Sequence, residues 1–251
     1  MLKSFVKRTI RRLGFDIRRY NPASSESAQL MRMLSVHRIN LVFDVGANTG
    51  QFGHFLRDAG YCGRIVSFKP ISASWEQLLE ASRNDPLWDV SPRAAIGNED
   101  GEILIHVAGN LVSSSVMNML DSHANAALES RYVGSERVPL LRLDSIAPDY
   151  FRPNSVLFLK IDTQDYEDRV LKGATGFLDR LAGLQLELSL VPLYEGQYLF
   201  DDLLAEVKEE GFDLWSIWPV ILIKIAGDCF RLMLLCFAVE KWLNGQVSTG
   251  C

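Results

Sequence analysis

The chain has little from which to build a metal site or a covalent scaffold. Its 251 residues include only four cysteines and four histidines. Cys62, Cys229, Cys236 and Cys251 form no Cys-x-x-Cys pair and accompany no histidine cluster, so neither a zinc site nor a disulfide framework is expected and no metal is assigned. That usage suits a reduced cytosolic setting. Long uninterrupted apolar runs are also missing. The stretch from Val220 to Val239 is broken by Lys224, Asp228 and Arg231, which argues against a membrane span. The N-terminus shows no apolar core with a small-residue cleavage site, as a signal peptide would. Repeats and low-complexity segments are lacking as well. Beyond the first twenty residues the chain is acidic and has no basic aromatic platform, so nucleic acid is not an expected partner.

What is present is a chain 48% hydrophobic, enough to bury a sizeable core in one α/β domain. The net charge of −5 hides an asymmetry: residues 1–20 carry +6, leaving −11 for the rest. Leu2, Val6, Ile10 and Leu13 recur at helical spacing with cations between them, the pattern of a basic amphipathic helix. Such a helix either lies on an anionic membrane surface at the cytoplasmic face, or packs its apolar stripe on the domain and leaves its charges in water.

After this extension, strands and helices alternate. Strands are expected at Leu41–Val45, Arg64–Phe68, Val90–Ile96, Ser155–Ile161, Leu184–Leu190 and Asp213–Ile217. Helices are expected at Ser25–Val36, Thr49–Ala59, Ser74–Asn84, Tyr166–Leu171 with a continuation to Leu181, and Phe200–Glu210. The order argues for an α/β fold with a doubly wound, mostly parallel sheet. Between Gly101 and Leu143 two alternating segments read as an antiparallel insertion or edge pair. The expected organisation is a basic extension over 1–38, a main domain over 39–218 and an atypical tail over 219–251.

The most informative stretch is LVFDVGANTG at 41–50. An apolar strand runs into Asp44, Gly46, Asn48 and Gly50 just before a helix, at the sheet edge where such folds bind ligands. The glycines leave room for a ligand, and the helix N-terminus favours the carboxylate of a bound amino acid or its derivative. The spacing is G-x-x-x-G rather than the dinucleotide pattern, which disfavours NAD without excluding it, and the stretch resembles the nucleotide-side turn of S-adenosylmethionine methyltransferases. A second strand ends in Lys160-Ile161-Asp162, placing Asp162 at the same edge, and Glu187 within GLQLELSL occupies a neighbouring strand. Carboxylates are rarely buried in such strands without a task, so both are candidate catalytic residues: Asp162 to bind the cofactor's amino group, position the acceptor or take its proton, and Glu187 either in a similar role or as a carboxylate paired with a buried cation. His54 and His106 are further candidates for a base. Ser113, Ser114 and Ser115, followed by Val116 and Asn118, form a loop able to reach over the cofactor side. Asp144 reads as the cap of a short helix.

Several separated stretches together resemble the FkbM-type methyltransferases: FDVGANTGQFG at 43–53, VSFKP at 66–70, AAIGNEDG at 94–101, the serine run, LLRLDSI at 140–146 and FLKIDTQDYEDRVLKGA at 158–174. The resemblance covers residues 40–218. It implies a class I, Rossmann-like methyltransferase fold with S-adenosyl-L-methionine as cofactor. The acceptor it implies is a hydroxyl oxygen on a sugar, glycolipid or polyketide-like product, and a sugar hydroxyl of a glycolipid or cell-surface glycan is the expected one. The cofactor-binding set is then Asp44, Gly46, Asn48, Gly50, Lys69, Ile96 and Asp162.

Three departures from the family pattern raise the alternative of a degenerate, inactive binding module. Lys69 stands where an acid usually accepts hydrogen bonds from ribose hydroxyls, which an ammonium cannot do. Asp165 stands where glycine is usual; if the backbone there needs a positive φ, Asp tolerates it better than most residues. The tail after Pro219 also lacks the usual polar loop and final strand, which suggests the hypothesis of a frameshift near Pro219, to be decided by the gene's nucleotide sequence. On this reading the sheet loses a central strand, an apolar edge is left unpaired, and Arg231 would need a wet face in any substitute strand.

Overall fold

A computed structural model of the chain describes residues 2–12, 14, 21–23, 25–109, 114–117, 132–194, 196–222 and 229–238. Seven strands form the main sheet: β1 (Leu41–Val45), β2 (Arg64–Phe68), β3 (Trp88–Val90), β7 (Leu157–Ile161), β8 (Leu181–Ser189), β9 (Phe212–Leu222) and β10 (Cys229–Ala238), in the order β3-β2-β1-β7-β8-β10-β9. All pairings are parallel except those of β10, which runs antiparallel to both neighbours. A smaller sheet of β4 (Ala95–Gly97), β6 (Tyr132–Arg142) and β5 (Gly101–Ala108) contains the expected antiparallel insertion. The single strand expected over Val90–Ile96 is in fact two, β3 and β4, one in each sheet.

Helices cover both faces of the main sheet because its strands are apolar on both sides. All five residues of β1 and of β7, and all nine of β8, are buried. On one face, α2 (Glu26–Val36) brings Leu30, Met33 and Leu34 against Val42, Phe158 and Phe237, with α3 (Gln51–Asp58) and α4 (Ser72–Ser82) beside it. On the other, α5 (Leu143–Ile146), α6 (Glu167–Lys172) and α7 (Phe200–Glu209) cover Phe43, Leu159, Leu184 and Leu186. Each fully buried side chain of this kind contributes roughly 1.5–3 kcal/mol. The helix α1 (Leu2–Arg12) precedes this domain. Ser25 caps α2, its Oγ accepting from the Ala28 amide at 3.3 Å.

The tail departs from expectation. Far from leaving an edge unpaired, β10 lies inside the sheet, with Arg231–Phe237 in register against β8 and its other side against β9. Leu234, Leu235, Cys236 and Phe237 are buried. A strand covered on both faces needs a continuous apolar run, and LMLLCFA supplies one. Gly183 in β8 makes room for it, since a Cβ there would stand 2.5 Å from the Phe237 ring. Arg231, expected to need water, is 1% exposed and is satisfied by carboxylates instead. Asp144 is likewise not a helix cap. It lies inside α5 and accepts from the Gly176 amide at 2.9 Å, so it clamps the turn after α6.

Candidate functional site

Each of four neighbouring apolar strands carries one polar residue at the same level. Register places Ser67 of β2 beside Asp44 of β1, Asp44 beside Lys160 of β7, and Lys160 beside Gln185 of β8. This row crosses the sheet just below its carboxyl edge. Continuing the alternation two residues on, the same face carries Lys69, Gly46, Asp162 and Glu187. Above them opens a cavity of about 430 Å³, within the size range of small-molecule sites. Gly46, Asn48, Lys69, Ile96 and Asp162 line it, as do Ser114 and Ser115.

The glycines act first on the protein itself. Gly46 has φ +81°, and a Cβ there would sit 1.8 Å from the Asp162 carbonyl oxygen, so the turn and the Asp162 backbone pack together only without a side chain. Gly50, with φ +100°, precedes α3 and packs on the Trp88 ring; it does not line the cavity. Asn48 also adopts a positive φ, and its Oδ1 is buried without a hydrogen-bond partner. Asp44 lies beneath the cavity, fully buried and ion-paired to Lys160 Nζ at 2.9 Å.

Lys160 also approaches Asp162 Oδ2 at 3.4 Å. Burial works against its charge, but the attraction of Asp44 and Asp162 is stronger and raises its pKa, so Lys160 stays protonated. Asp162 keeps 28% of its side chain exposed and lines the cavity. Burial pushes its carboxyl upward. Lys160, together with hydrogen bonds from Glu187 and Gln164, outweighs that and holds it below the ordinary carboxylate value.

Glu187 stands behind Asp162 and does not line the cavity. Its Oε2 accepts from Gln164 Nε2 at 2.8 Å and from Arg231 Nη1 at 2.6 Å. Burial first, then the negative charge of Asp162, pushes Glu187 up to about 8. This shift favours the protonated form, in which Glu187 would donate to Asp162. Gln164 Nε2 also reaches Asp162 Oδ1 at 3.0 Å, tying the two carboxyls together.

The loop carrying Asp162 is held in an unusual shape. Gln164 and Asp165 have φ of +61° and +74°, so Asp165 does occupy a glycine-like conformation. It stays there because its carboxylate accepts from Ser189 Oγ at 3.0 Å and also engages Gln197 and Arg231. The serine loop closes this corner: Ser115 Oγ donates to the Gln164 carbonyl at 2.8 Å. Ser113 and Asn118 lie outside the described residues.

Neither candidate histidine reaches the cavity. His54 is exposed and meets the Trp88 ring edge-on at 5.1 Å, and His106 stacks on Tyr132 at 4.8 Å. Sequence reasoning missed Gln164, Gln185 and Arg231. Gln185 gave a signal, as a lone amide in an apolar strand level with Lys160; Arg231 gave the same signal but was discounted with the tail.

The cavity's residues fit the amino-acid and purine parts of S-adenosyl-L-methionine. Asp162 and the unpartnered Asn48 Oδ1 are acceptors for an ammonium, and Phe68, Ile71, Ala95 and Ile96 give apolar walls. Only Lys69 departs from what a ribose with free hydroxyls would select. Among the described residues, no group of acidic, histidine and cysteine side chains is arranged to hold a metal.

A doubly wound sheet with an antiparallel penultimate strand and a glycine turn beside a carboxylate defines a Rossmann-like, S-adenosyl-L-methionine-dependent methyltransferase. The chain belongs to the FkbM methyltransferase family, whose domain matches residues 44–214, more than half its length. No curated protein matches it. Among solved structures, it is similar to a Streptococcus pneumoniae protein assigned as a tRNA methyltransferase and solved with S-adenosyl-L-methionine, at 13% identity and TM-score 0.45 over 87% of this chain and 82% of that one. The Methanococcus jannaschii fibrillarin pre-rRNA processing protein aligns at 10% identity and TM-score 0.47, over 87% and 76%. TehB from Haemophilus influenzae aligns at 9% and 0.44, over 84% and 62%.

Proposed function

We propose that the chain methylates a sugar hydroxyl of a glycolipid or cell-surface glycan, with Asp162 as the residue that meets the acceptor. The observation that carries this reading is a carboxylate facing a cavity of cofactor size, held by Lys160 and Gln164. Bound S-adenosyl-L-methionine supplies a methyl group that is already activated. What the chain must add is position, worth roughly 7–11 kcal/mol when reacting groups are well aligned. Asp162 would accept a hydrogen bond from the acceptor hydroxyl and fix its oxygen. A carboxylate with a lowered pKa is a weak base, but a hydroxyl oxygen becomes strongly acidic as it gains a methyl, and Asp162 then takes the proton. Glu187 and Lys160 keep Asp162 ionised and oriented. Gly46, Asn48 and Ile96 would contact the cofactor, while Asp44 and Gly50 would serve it indirectly by holding the turn.

The test supplies the protein with S-adenosyl-L-methionine carrying a labelled methyl and a cell extract, then separates glycolipid, glycan, RNA and protein. Label should enter glycolipid or glycan as an alkali-stable ether. Label confined to RNA or protein would overturn the acceptor class. Asp162→Asn should slow transfer by about 10²–10⁴-fold.

The basic helix α1 would hold the protein at an anionic membrane near such an acceptor. Among the described residues, no helix is long and apolar enough to cross a membrane. Sedimentation with liposomes checks the point: equal binding to neutral and anionic vesicles would remove it.

A further inference from the structure

Lys69 follows directly on β2 and lines the cavity, yet it is only 7% exposed. It has no hydrogen-bond or ion-pair partner among the described residues. Asp162 and Asp44 attract its charge and Lys160 repels it, but both carboxylates are committed elsewhere, Asp44 to Lys160 at 2.9 Å and Asp162 to Lys160 and Gln164. Its backbone is pinned as well. The next carbonyl, of Pro70, accepts from Arg93 Nη1 at 3.3 Å, and Arg93 is itself paired with Glu136 at 2.8 Å. Burying an ammonium without a counter-charge is unfavourable, so a protein that keeps one facing a ligand cavity gains it back when an anion arrives.

We propose that Lys69 anchors a phosphate subsite at the β2 edge of the cavity, taking a phosphate monoester carried on the ribose of a nucleotide or on the sugar to be methylated. The proposal rests on reading this cavity as a nucleoside site. An acid at this position accepts from free ribose hydroxyls. A cation reverses the preference, the same exchange by which dinucleotide sites accept a 2′-phosphate in place of a 2′-hydroxyl. An ammonium acts on phosphate as a point charge with three donors, matched by three terminal oxygens. Burial lowers the Lys69 pKa to about 8, so the charge is present at pH 7 and mostly gone by pH 9.

The experiment is calorimetric titration of the full chain with two matched pairs, adenosine against adenosine 2′- or 3′-monophosphate, and glucose against its 1- and 6-phosphates. At pH 7 the phosphorylated member of one pair should bind at least 10-fold more tightly. Lys69→Met should abolish that advantage, and pH 9 should reduce it in the wild type. The pair that responds identifies which molecule carries the phosphate. No advantage in either pair, or one that survives in Lys69→Met, overturns the proposal. Lys69→Met replaces a buried charge with an apolar chain of similar length, so its melting temperature should equal or exceed that of the wild type and certify the fold. Titration with S-adenosyl-L-methionine separates the two readings. Donor binding without a phosphate advantage defeats the subsite alone, whereas a phosphate advantage without donor binding defeats the donor assignment alone.

Discussion

Two buried ionic clusters support the cavity, and they are built differently. Asp44 and Lys160 face each other directly on adjacent parallel strands, and Asp162, two residues on from Lys160, approaches the same ammonium at 3.4 Å. Arg231, Asp165 and Glu187 form a knot of two acids around one guanidinium, and its cation comes from β10, outside the segment that matches the family. The first cluster is closed by the sheet register alone. The second closes only when a strand near the end of the chain inserts between β8 and β9. The front of the cavity is thus set by the motif-bearing strands, while the loop behind Asp162 depends on the tail.

The largest effect should follow from cutting the second cluster. Arg231→Met leaves the Asp165 carboxylate buried without a counter-charge and Glu187 without one of its donors, in a loop whose positive φ values need those bonds. Breaking a buried pair on one side costs about 3–5 kcal/mol, and urea unfolding would measure it. Adding Asp165→Asn and Glu187→Gln to Arg231→Met should recover much of the loss, because neutral amides tolerate the missing cation. A loss under about 1 kcal/mol in Arg231→Met would mean that β10 is not held by this knot, and the contrast between the clusters would disappear.

Lys160→Met should destabilise by a similar or somewhat smaller amount, about 2–4 kcal/mol, since Asp44 can take up a proton when its partner is lost. Its distinguishing effect is on pH dependence. With Lys160 gone, burial is no longer outweighed at Asp162 and its pKa rises, so the acid limb of the activity profile moves to higher pH. An unchanged limb, with stability lost, would make Lys160 a purely structural residue.

The same contrast explains what could be read from the sequence. The strands β1 and β2 were legible to the residue because each is a short apolar run bounded by turn residues, and Asp162 was legible as a charge at the end of such a run. The split of Val90–Ile96 into β3 and β4 was not legible, because nothing within the run shows that the chain changes sheets. Asp44 and Gly50 were assigned to the ligand because a motif marks that residues meet without saying what they meet. The structure turns Asp44 toward Lys160 and Gly50 toward Trp88. Arg231 was read as a misfit since its partners lie 66 and 44 positions away. A lone buried cation acquires its meaning only from strand order, which no local window contains.

The mildest perturbation probes the extra acid of the knot. Glu187 is raised from 4.5 to about 8 by burial and by the charge of Asp162, so between those pH values the folded chain holds a proton that the unfolded chain has released. The sign follows: this group's contribution is fully present below pH 4.5 and is lost as pH rises through 8, with a slope of at most about 1.4 kcal/mol per pH unit. Glu167, also raised to about 8, acts in the same direction. Glu187→Gln keeps a donor for Asp162 and an acceptor for Arg231 but cannot titrate. Unfolding free energies measured from pH 5 to 8 should fall less steeply in the variant than in the wild type, with little difference at pH 5. Were the two slopes equal, Glu187 would be ionised throughout, and Arg231 would then be balancing two full charges, which would make the second cluster as strained at neutral pH as the first is relaxed.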